Sequence, residues 1–190
     1  MIFISLGSNS VGTWGVPNYS LYMALSKLES AGINILTTSK IYITEAHAYI
    51  QQPDYFNAVA AARSSLPPEA LLQVLKRIEA QAGRKPHSHH SEPYFHWAPR
   101  PLDLDIVSYK GRVCNWRSTT PQRRFRVILP HPRAHERAFV LAPLTEIAPF
   151  WHHPVFGLTA SELLKRPKVR RTGKVKGILS FNGFPSKTLP

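Results

Sequence analysis

Two aspartates, Asp103 and Asp105, stand two residues apart in the stretch PRPLDLDIVSY, residues 99–109. The chain carries 24 Lys+Arg against 11 Asp+Glu, so a close pair of acids is unexpected. Asp is disfavoured in strands, yet Leu102, Leu104, Ile106 and Val107 make this stretch read as one. Strand side chains alternate, so Asp103 and Asp105 share one face and Leu102, Leu104 and Ile106 the other, with the two carboxylates about 7 Å apart at the backbone. Like charges that close repel unless a cation lies between them. The spacing suits a pair of hard ions, since two-metal sites hold theirs about 3.5–4 Å apart. Mg²⁺ favours one or two carboxylates completed by phosphate oxygens, so the pair implies Mg²⁺ with a nucleotide. A D-x-D alone also fits a solvated edge strand. The neighbouring cations favour the site: Arg100 directly precedes the pair, and Arg84, Arg126, Arg133 and Arg137 lie in flanking loops. Arginine grips phosphate through forked contacts.

The elements that must position these residues follow from periodicity. Ile2, Phe3, Ile4 and Leu6 form a first strand ending at Gly7-Ser8-Asn9. Leu21, Ala24, Leu25 and Leu28 recur at helical spacing over 19–30. Residues 33–44 are rich in β-branched types and read as a second strand, and 55–62 as a third, although its alanines also suit a helix. Pro67-Pro68 opens a second helix with Leu71, Leu72, Leu75 and Ile78 on its apolar face. A polar, His-rich loop over 84–98 leads to the aspartate strand. HERAFVLAPL starts a short helix, and TASELLKR makes another with a Thr or Ser N-cap and a Glu in its first turn. The order is βαββαβ, an α+β fold of the ferredoxin-like kind with a mainly antiparallel sheet and C-terminal additions.

Composition bounds the rest. A length of 190 residues, 43% of them hydrophobic, suits one domain with an ordinary core. No apolar run approaches a membrane span, and the start MIFISLGSNS lacks a basic leader, so a buried strand is expected there rather than a signal peptide. The single Cys114 fits a reducing compartment, and a cytoplasmic monomer is expected. The net charge of +13 concentrates in two tracts. Residues 165–190 hold eight Lys/Arg and no acid, and residues 110–137 hold eight against Glu136 alone. Residues 1–166 are expected to form the domain and 167–190 a flexible basic extension outside the core, either solvated or touching nucleic acid. The cluster His87, His89 and His90 invites a zinc reading, but no cysteine or second motif supports it.

HWAPRPLDLDIV resembles the signature of the 6-hydroxymethyl-7,8-dihydropterin pyrophosphokinases, typically RWGPRTLDLDI. ISLGSNS resembles that family's opening strand and loop. SKIYITEA, QQPDYFNAV, LKRIEAQAGR and LPHPRAHERAFVLAPLTEIAP are similar to its other motifs, in family order, over about residues 1–150. The resemblance implies transfer of the β,γ-pyrophosphoryl group of ATP to the pterin hydroxymethyl oxygen, releasing AMP, with two Mg²⁺ ions. It implies that Asp103 and Asp105 hold both metals. It places Tyr55 and Phe139 in the pterin pocket with Phe139 stacking on the ring, Asn57 at the pterin edge, and Thr44 where the loop backbone lines the pocket. It places Glu79, Arg84, Trp97, Arg100, Ile106, Arg126, His131 and Arg137 at ATP-side or loop-closing positions, and His96 where an arginine usually helps close the loop. A flat heterocycle favours aromatic faces and a few fixed polar partners, and phosphoryl transfer runs on positioning and charge neutralisation. Tyr55 and Phe139 would equally serve as core aromatics, Glu79 as a surface helix residue, and His131 and Arg133 as ordinary loop residues.

The chain also departs from that pattern. His96 and Ala98 replace the usual Arg and Gly around the tryptophan, TEAHAYI lacks the usual prolines and glycine with His47 at an apolar position, and Pro132 and His135 are atypical. Three readings stay open: a pyrophosphokinase with drifted loops, a paralogue acting on another pterin-like alcohol, and a silent pterin- or nucleotide-binding protein. An RNA-recognition module would share βαββαβ and basic charge, but the aromatic strand such modules use is missing here.

Overall fold

The computed structural model describes residues 1–46, 51–85, 98–116 and 127–181. Strand β1 (Ile2–Ser8) is paired antiparallel with β4 (Tyr55–Arg63), the middle strand of the sheet, on one side and with the edge strand β5 (Asp103–Tyr109) on the other. Beyond β4 come β2 (Asn34–Thr38) and β3 (Ile41–Thr44), each paired with a different half of β4, and β6 (Val175–Leu179) closes the order β5-β1-β4-β3-β6. This is the ferredoxin-like α+β arrangement expected from the element order.

Helices cover both faces. Ile2, Ile4 and Leu6 pack with Ala58, Ala60 and Ala62 against α1 (Pro17–Ser30) and α2 (Pro68–Gln81). On the opposite face Phe3, Val59, Ala61 and Val107 meet α3 (Ala138–Ile147) and α4 (Ala160–Leu164). Burial on both sides explains why the alanine-rich 55–63 is a strand: tertiary pairing overrides a helix-compatible composition, as it commonly does for strands. Thr159 and Glu162 form a reciprocal capping box at the start of α4, as the sequence predicts.

The single second strand expected over 33–44 breaks in two. At Ser39 the hydroxyl accepts the Val59 N–H and donates to the Lys40 carbonyl, while the Lys40 N–H turns to the Glu146 carboxylate on α3. Side chains thus satisfy backbone groups that the ladder loses at the kink.

The basic C-terminal extension needs correcting. From Pro167 the chain forms α5 (Pro167–Arg170) and then β6, which pairs antiparallel with β3. Val169 and Phe181 are buried, and the Phe181 ring packs edge-on against Tyr22 at 5.0 Å. The segment therefore belongs to the domain, at least to Phe181. Its apolar residues are sparse because β6 is an edge strand with one partner among the described residues, held through backbone hydrogen bonds that composition does not reveal. No helix among the described residues is long and apolar enough to cross a membrane.

Outside the sheet, His153 is buried among Trp116, Trp151, Phe156 and His135. Its Nδ1 accepts the Val155 N–H. Burial, reinforced by the nearby His135 and Arg166, lowers its pKa from 6.5 to about 4. Between those values the unfolded chain binds the proton and the folded chain resists it, so stability should fall as pH drops through that window. The expected result is that His153→Phe loses less melting temperature than the parent between pH 7 and pH 4.5; parallel losses in the two proteins would refute it.

Candidate active site

α3 and α4 cover only half of their face of the sheet. The uncovered half presents a row of side chains set by register. Gly7 of β1 pairs with both Asp103 of β5 and Asn57 of β4, Ser5 pairs with Asp105, and Thr44 of β3 pairs with Tyr55 of β4. Because alternation fixes the face, Asp103, Asp105, Asn57, Tyr55 and Thr44 all point the same way. Gly7 leaves the row open at its middle: a Cβ there would stand 3.1 Å from Asn57 Oδ1. A cavity of about 530 Å³ results, lined by Gly7, Thr44, Tyr55, Asn57, Arg100, Asp103, Arg137 and Phe139 among others.

At one end of the cavity the charges interlock. Asp103 receives Arg100 Nη1 at 2.8 Å and is hydrogen-bonded by Arg84. Arg84 also reaches Glu79 Oε1 at 2.8 Å. Glu79 is 3% exposed, on the inner face of α2, and its Oε1 accepts the Leu104 N–H at 2.7 Å and Lys76 Nζ at 2.7 Å. It is therefore no surface residue but the post that ties α2 to β5. Burial pushes the Glu79 carboxyl up, against the pull of Lys76 and Arg84. Burial also acts to raise Asp103, but the Arg100 and Arg84 guanidiniums outweigh it and hold that carboxyl well below the usual range, so it is ionised at neutral pH.

Asp105 is held more loosely. His131 Nε2 stands 3.5 Å and Arg137 Nη1 3.6 Å from its Oδ2. Burial lowers the His131 pKa despite the attraction of Asp105, so the imidazole is neutral at pH 7 and the Arg137 guanidinium is left as the cation facing Asp105. The two carboxylates thus share one face, Asp103 tightly braced and Asp105 loosely held.

The other end of the cavity suits a flat polar ring. Asn57 Nδ2 donates to Thr44 Oγ1 at 2.8 Å, which fixes the amide orientation. Phe139 lies opposite, with the Arg137 guanidinium 5.6 Å from its ring centre. Tyr55 is half-buried beside Arg100 and Asp103.

Of the residues singled out from the sequence, the structure brings Thr44, Tyr55, Asn57, Arg100, Asp103, Arg137 and Phe139 to this one cavity. Glu79 and Arg84 join through Asp103; Asp105, which does not itself line the cavity, joins through Arg137 and brings His131 with it. Ile106 is different: it packs in the core beneath α2, facing away from the aspartates, and does not line the cavity. His96, Trp97, Arg126 and the cluster His87, His89 and His90 lie outside the described residues, as does His47.

Sequence reasoning missed several participants. Glu136 and Thr172 also line the cavity, beside Arg133, which the sequence places among the flanking cations. Asn9 accepts the Arg100 N–H at 2.7 Å and donates to Gln52 and the Pro53 carbonyl, stitching the arginine's loop to the loop before β4. Its signal was present, as a polar residue closing the apolar ISLGSNS strand. Lys76 was legible as the i,i+3 partner of Glu79. Thr172 carried no local signal.

The donor set fits Mg²⁺ of a particular kind. Among the described residues no group of three or more His, Cys, Asp or Glu could hold a metal. Asp103 and Asp105 therefore offer the partial, all-oxygen set that Mg²⁺ completes with phosphate and water, rather than a cage for zinc or calcium.

A family model described as 7,8-dihydro-6-hydroxymethylpterin-pyrophosphokinase (HPPK) matches residues 3–149. The chain is 36% identical over 165 residues, 87% of its length, to the folic acid synthesis protein fol1 of Pneumocystis carinii, of which it covers 20%. It is 38% identical over 136 residues, 72% of its length, to a 2-amino-4-hydroxy-6-hydroxymethyldihydropteridine pyrophosphokinase of Synechocystis sp., of which it covers 62%. A solved chain described as HPPK-DHPS in complex with substrates superposes with a TM-score of 0.60 at 13% identity, over 92% of this chain and 46% of that one, which supports the fold alone. Matched from its first strand to the end of α3, with Asp103, Arg100, Arg137 and the ring-slot residues lining one cavity, the chain belongs to the 7,8-dihydro-6-hydroxymethylpterin-pyrophosphokinase family.

Proposed function

We propose that this protein transfers pyrophosphate from ATP to 6-hydroxymethyl-7,8-dihydropterin, giving AMP and the pterin diphosphate used in folate synthesis. The observation that carries the reading is the continuity of the cavity, in which a ring slot bounded by Tyr55, Asn57 and Phe139 opens directly onto the Asp103–Arg84–Arg100 charge cluster. Such adjacency is what in-line transfer between a heterocyclic alcohol and a polyphosphate requires.

In this reading Phe139 and Tyr55 hold the pterin ring by its faces, and the Asn57 amide, fixed by Thr44, reads its edge. The hydroxymethyl oxygen forms a bond to the β-phosphorus of ATP and releases its proton to solvent. The bond from that phosphorus to the oxygen bridging the α-phosphate breaks, and AMP leaves. Arg100, Arg84 and Arg137 balance the charge that spreads over the phosphate oxygens. Asp103 and Asp105 would hold Mg²⁺, which when bound neutralises triphosphate charge and aligns it. Glu79 keeps Arg84 in place from behind. His96, Trp97, Arg126 and His131 are proposed to act on the ATP side.

The test is to mix the protein with ATP, Mg²⁺ and 6-hydroxymethyl-7,8-dihydropterin and to identify the nucleotide product. AMP formed in step with pterin diphosphate is expected, with loss of turnover on chelation by EDTA and recovery on adding Mg²⁺. ADP as the product, or no pterin-dependent turnover, would overturn the reading.

A further inference from the structure

We propose that Thr172 and Gly173, beyond the family match that ends at residue 149, form a strap that positions Phe139 and sets the fit of the ring slot. This inference rests on the pterin reading of the cavity given above.

The N-cap residue of α3, Arg137, offers no capping side chain of its own. A helix start of that kind leaves backbone N–H groups to be satisfied from elsewhere. Thr172, 34 positions further on, supplies the acceptor: its Oγ1 takes the Ala138 N–H at 2.9 Å. The hydroxyl in turn donates to the Val169 carbonyl at 2.7 Å, with the Glu136 carbonyl a second acceptor at 3.2 Å, which leaves an oxygen lone pair for the Ala138 N–H. The capped residue sits between Arg137, which faces Asp105, and Phe139, which lines the ring slot. Thr172 itself lines the same cavity.

Gly173 continues the strap. Its φ is +72°, and a Cβ built there would lie 3.3 Å from Phe139 Cδ1 and 3.5 Å from Thr44 Oγ1. The missing side chain therefore serves twice. It permits the left-handed turn, and it lets backbone press on the edge of Phe139 and on the Thr44 hydroxyl that orients Asn57. The next residues lock the strap onto β3: the Glu45 N–H donates to the Lys174 carbonyl at 3.0 Å, and Val175 pairs with Thr44. The strap thus touches both walls of the ring slot, while the Asp103–Arg84–Glu79 cluster draws its partners from α2 and β5. Because the strap meets the phosphate side only through the backbone beside Arg137, its positioning role falls chiefly on the ring.

The experiment compares the full chain with Thr172→Val, Thr172→Ser and Gly173→Ala in the AMP-forming assay, with melting curves recorded alongside. Thr172→Val and Gly173→Ala are each expected to raise KM for the pterin roughly five- to tenfold, the size of one lost N-cap contact. KM for ATP should stay near the parent value, and Thr172→Ser should restore the pterin KM because it keeps the hydroxyl. If Thr172 acts through the ring, Thr172→Val in a Phe139→Ala background should add much less than it does alone. A parent pterin KM in folded Thr172→Val or Gly173→Ala, an equal rise in both KM values, or full additivity with Phe139→Ala would overturn the strap while leaving the pyrophosphokinase reading standing. No pterin-dependent AMP from the parent chain would instead overturn that reading, and the strap with it.

Discussion

Asp103→Asn and Asp105→Asn are each expected to cut turnover by about 10²–10³, the usual loss when one oriented electrostatic contact to a transition state is removed. The two substitutions should differ in their effect on thermal stability. Asp103 is braced by Arg84 and Arg100, and its pKa is held low by them against burial. A carboxylate whose folded pKa is depressed contributes stability that is present at pH 7 and lost as pH falls through the folded value. Asp103→Asn should therefore lower the melting temperature at pH 7 as well as turnover, and its deficit should shrink in acid. Asp105 faces the His131 imidazole at 3.5 Å and the Arg137 guanidinium at 3.6 Å, too far for strong hydrogen bonds. Asp105→Asn should leave the melting temperature nearly unchanged while turnover collapses. In both variants ATP affinity should lose most of its dependence on Mg²⁺, since the arginines remain to bind phosphate but the ion's anchors are gone. Parent turnover in either variant with Mg²⁺ present would reject the paired-carboxylate reading, and an equal thermal cost in both would reject the division of labour between them.

How much of this was legible beforehand follows from the range of the interactions. Strand alternation alone put Asp103 and Asp105 on one face and Leu104 and Ile106 on the other, because a two-residue period is a local property. Helical spacing placed Leu71, Leu75 and Ile78 inward, and Glu79, next to Ile78 and one turn beyond Leu75, is carried into the same interface. What made it a buried post was the Leu104 N–H of a strand 25 positions away, which no local pattern announces. The break at Ser39 was hidden for a related reason. The β-branched run continues across it, and the kink is stabilised by Val59 and Glu146, far off in sequence. The resemblance to known motifs carried the site residues up to residue 150. Past that point only composition remained, and it misled: a basic, thinly apolar segment has the make-up of a solvated tail even when backbone hydrogen bonds hold it as an edge strand.

Ending the chain at Pro167 is accordingly expected to damage the domain. The deletion removes the β6 ladder from β3, the Val169 and Phe181 side chains from the core, and the Thr172 cap from α3. Losing a buried phenylalanine alone costs about 3–5 kcal/mol, and a lost N-cap adds about 1 kcal/mol. A total of roughly 5 kcal/mol rivals the whole stability of an ordinary domain, about 5–15 kcal/mol. At about 2–4 °C per kcal/mol for a chain of this size, the melting temperature should drop by at least about 10 °C. The exposed edge of β3 should also make the shortened protein prone to aggregation. Phe181→Ala isolates the packing term, since it keeps β6 and Thr172 and removes only the ring that sits on Tyr22. It should reproduce more than half of the thermal loss while retaining the pterin KM, because Phe181 packs on α1 and does not line the cavity. A truncated chain that melts with the full-length protein would show that β6 contributes nothing to the fold. A Phe181→Ala protein as stable as the parent would shift the cost onto the β6 ladder and the Thr172 cap.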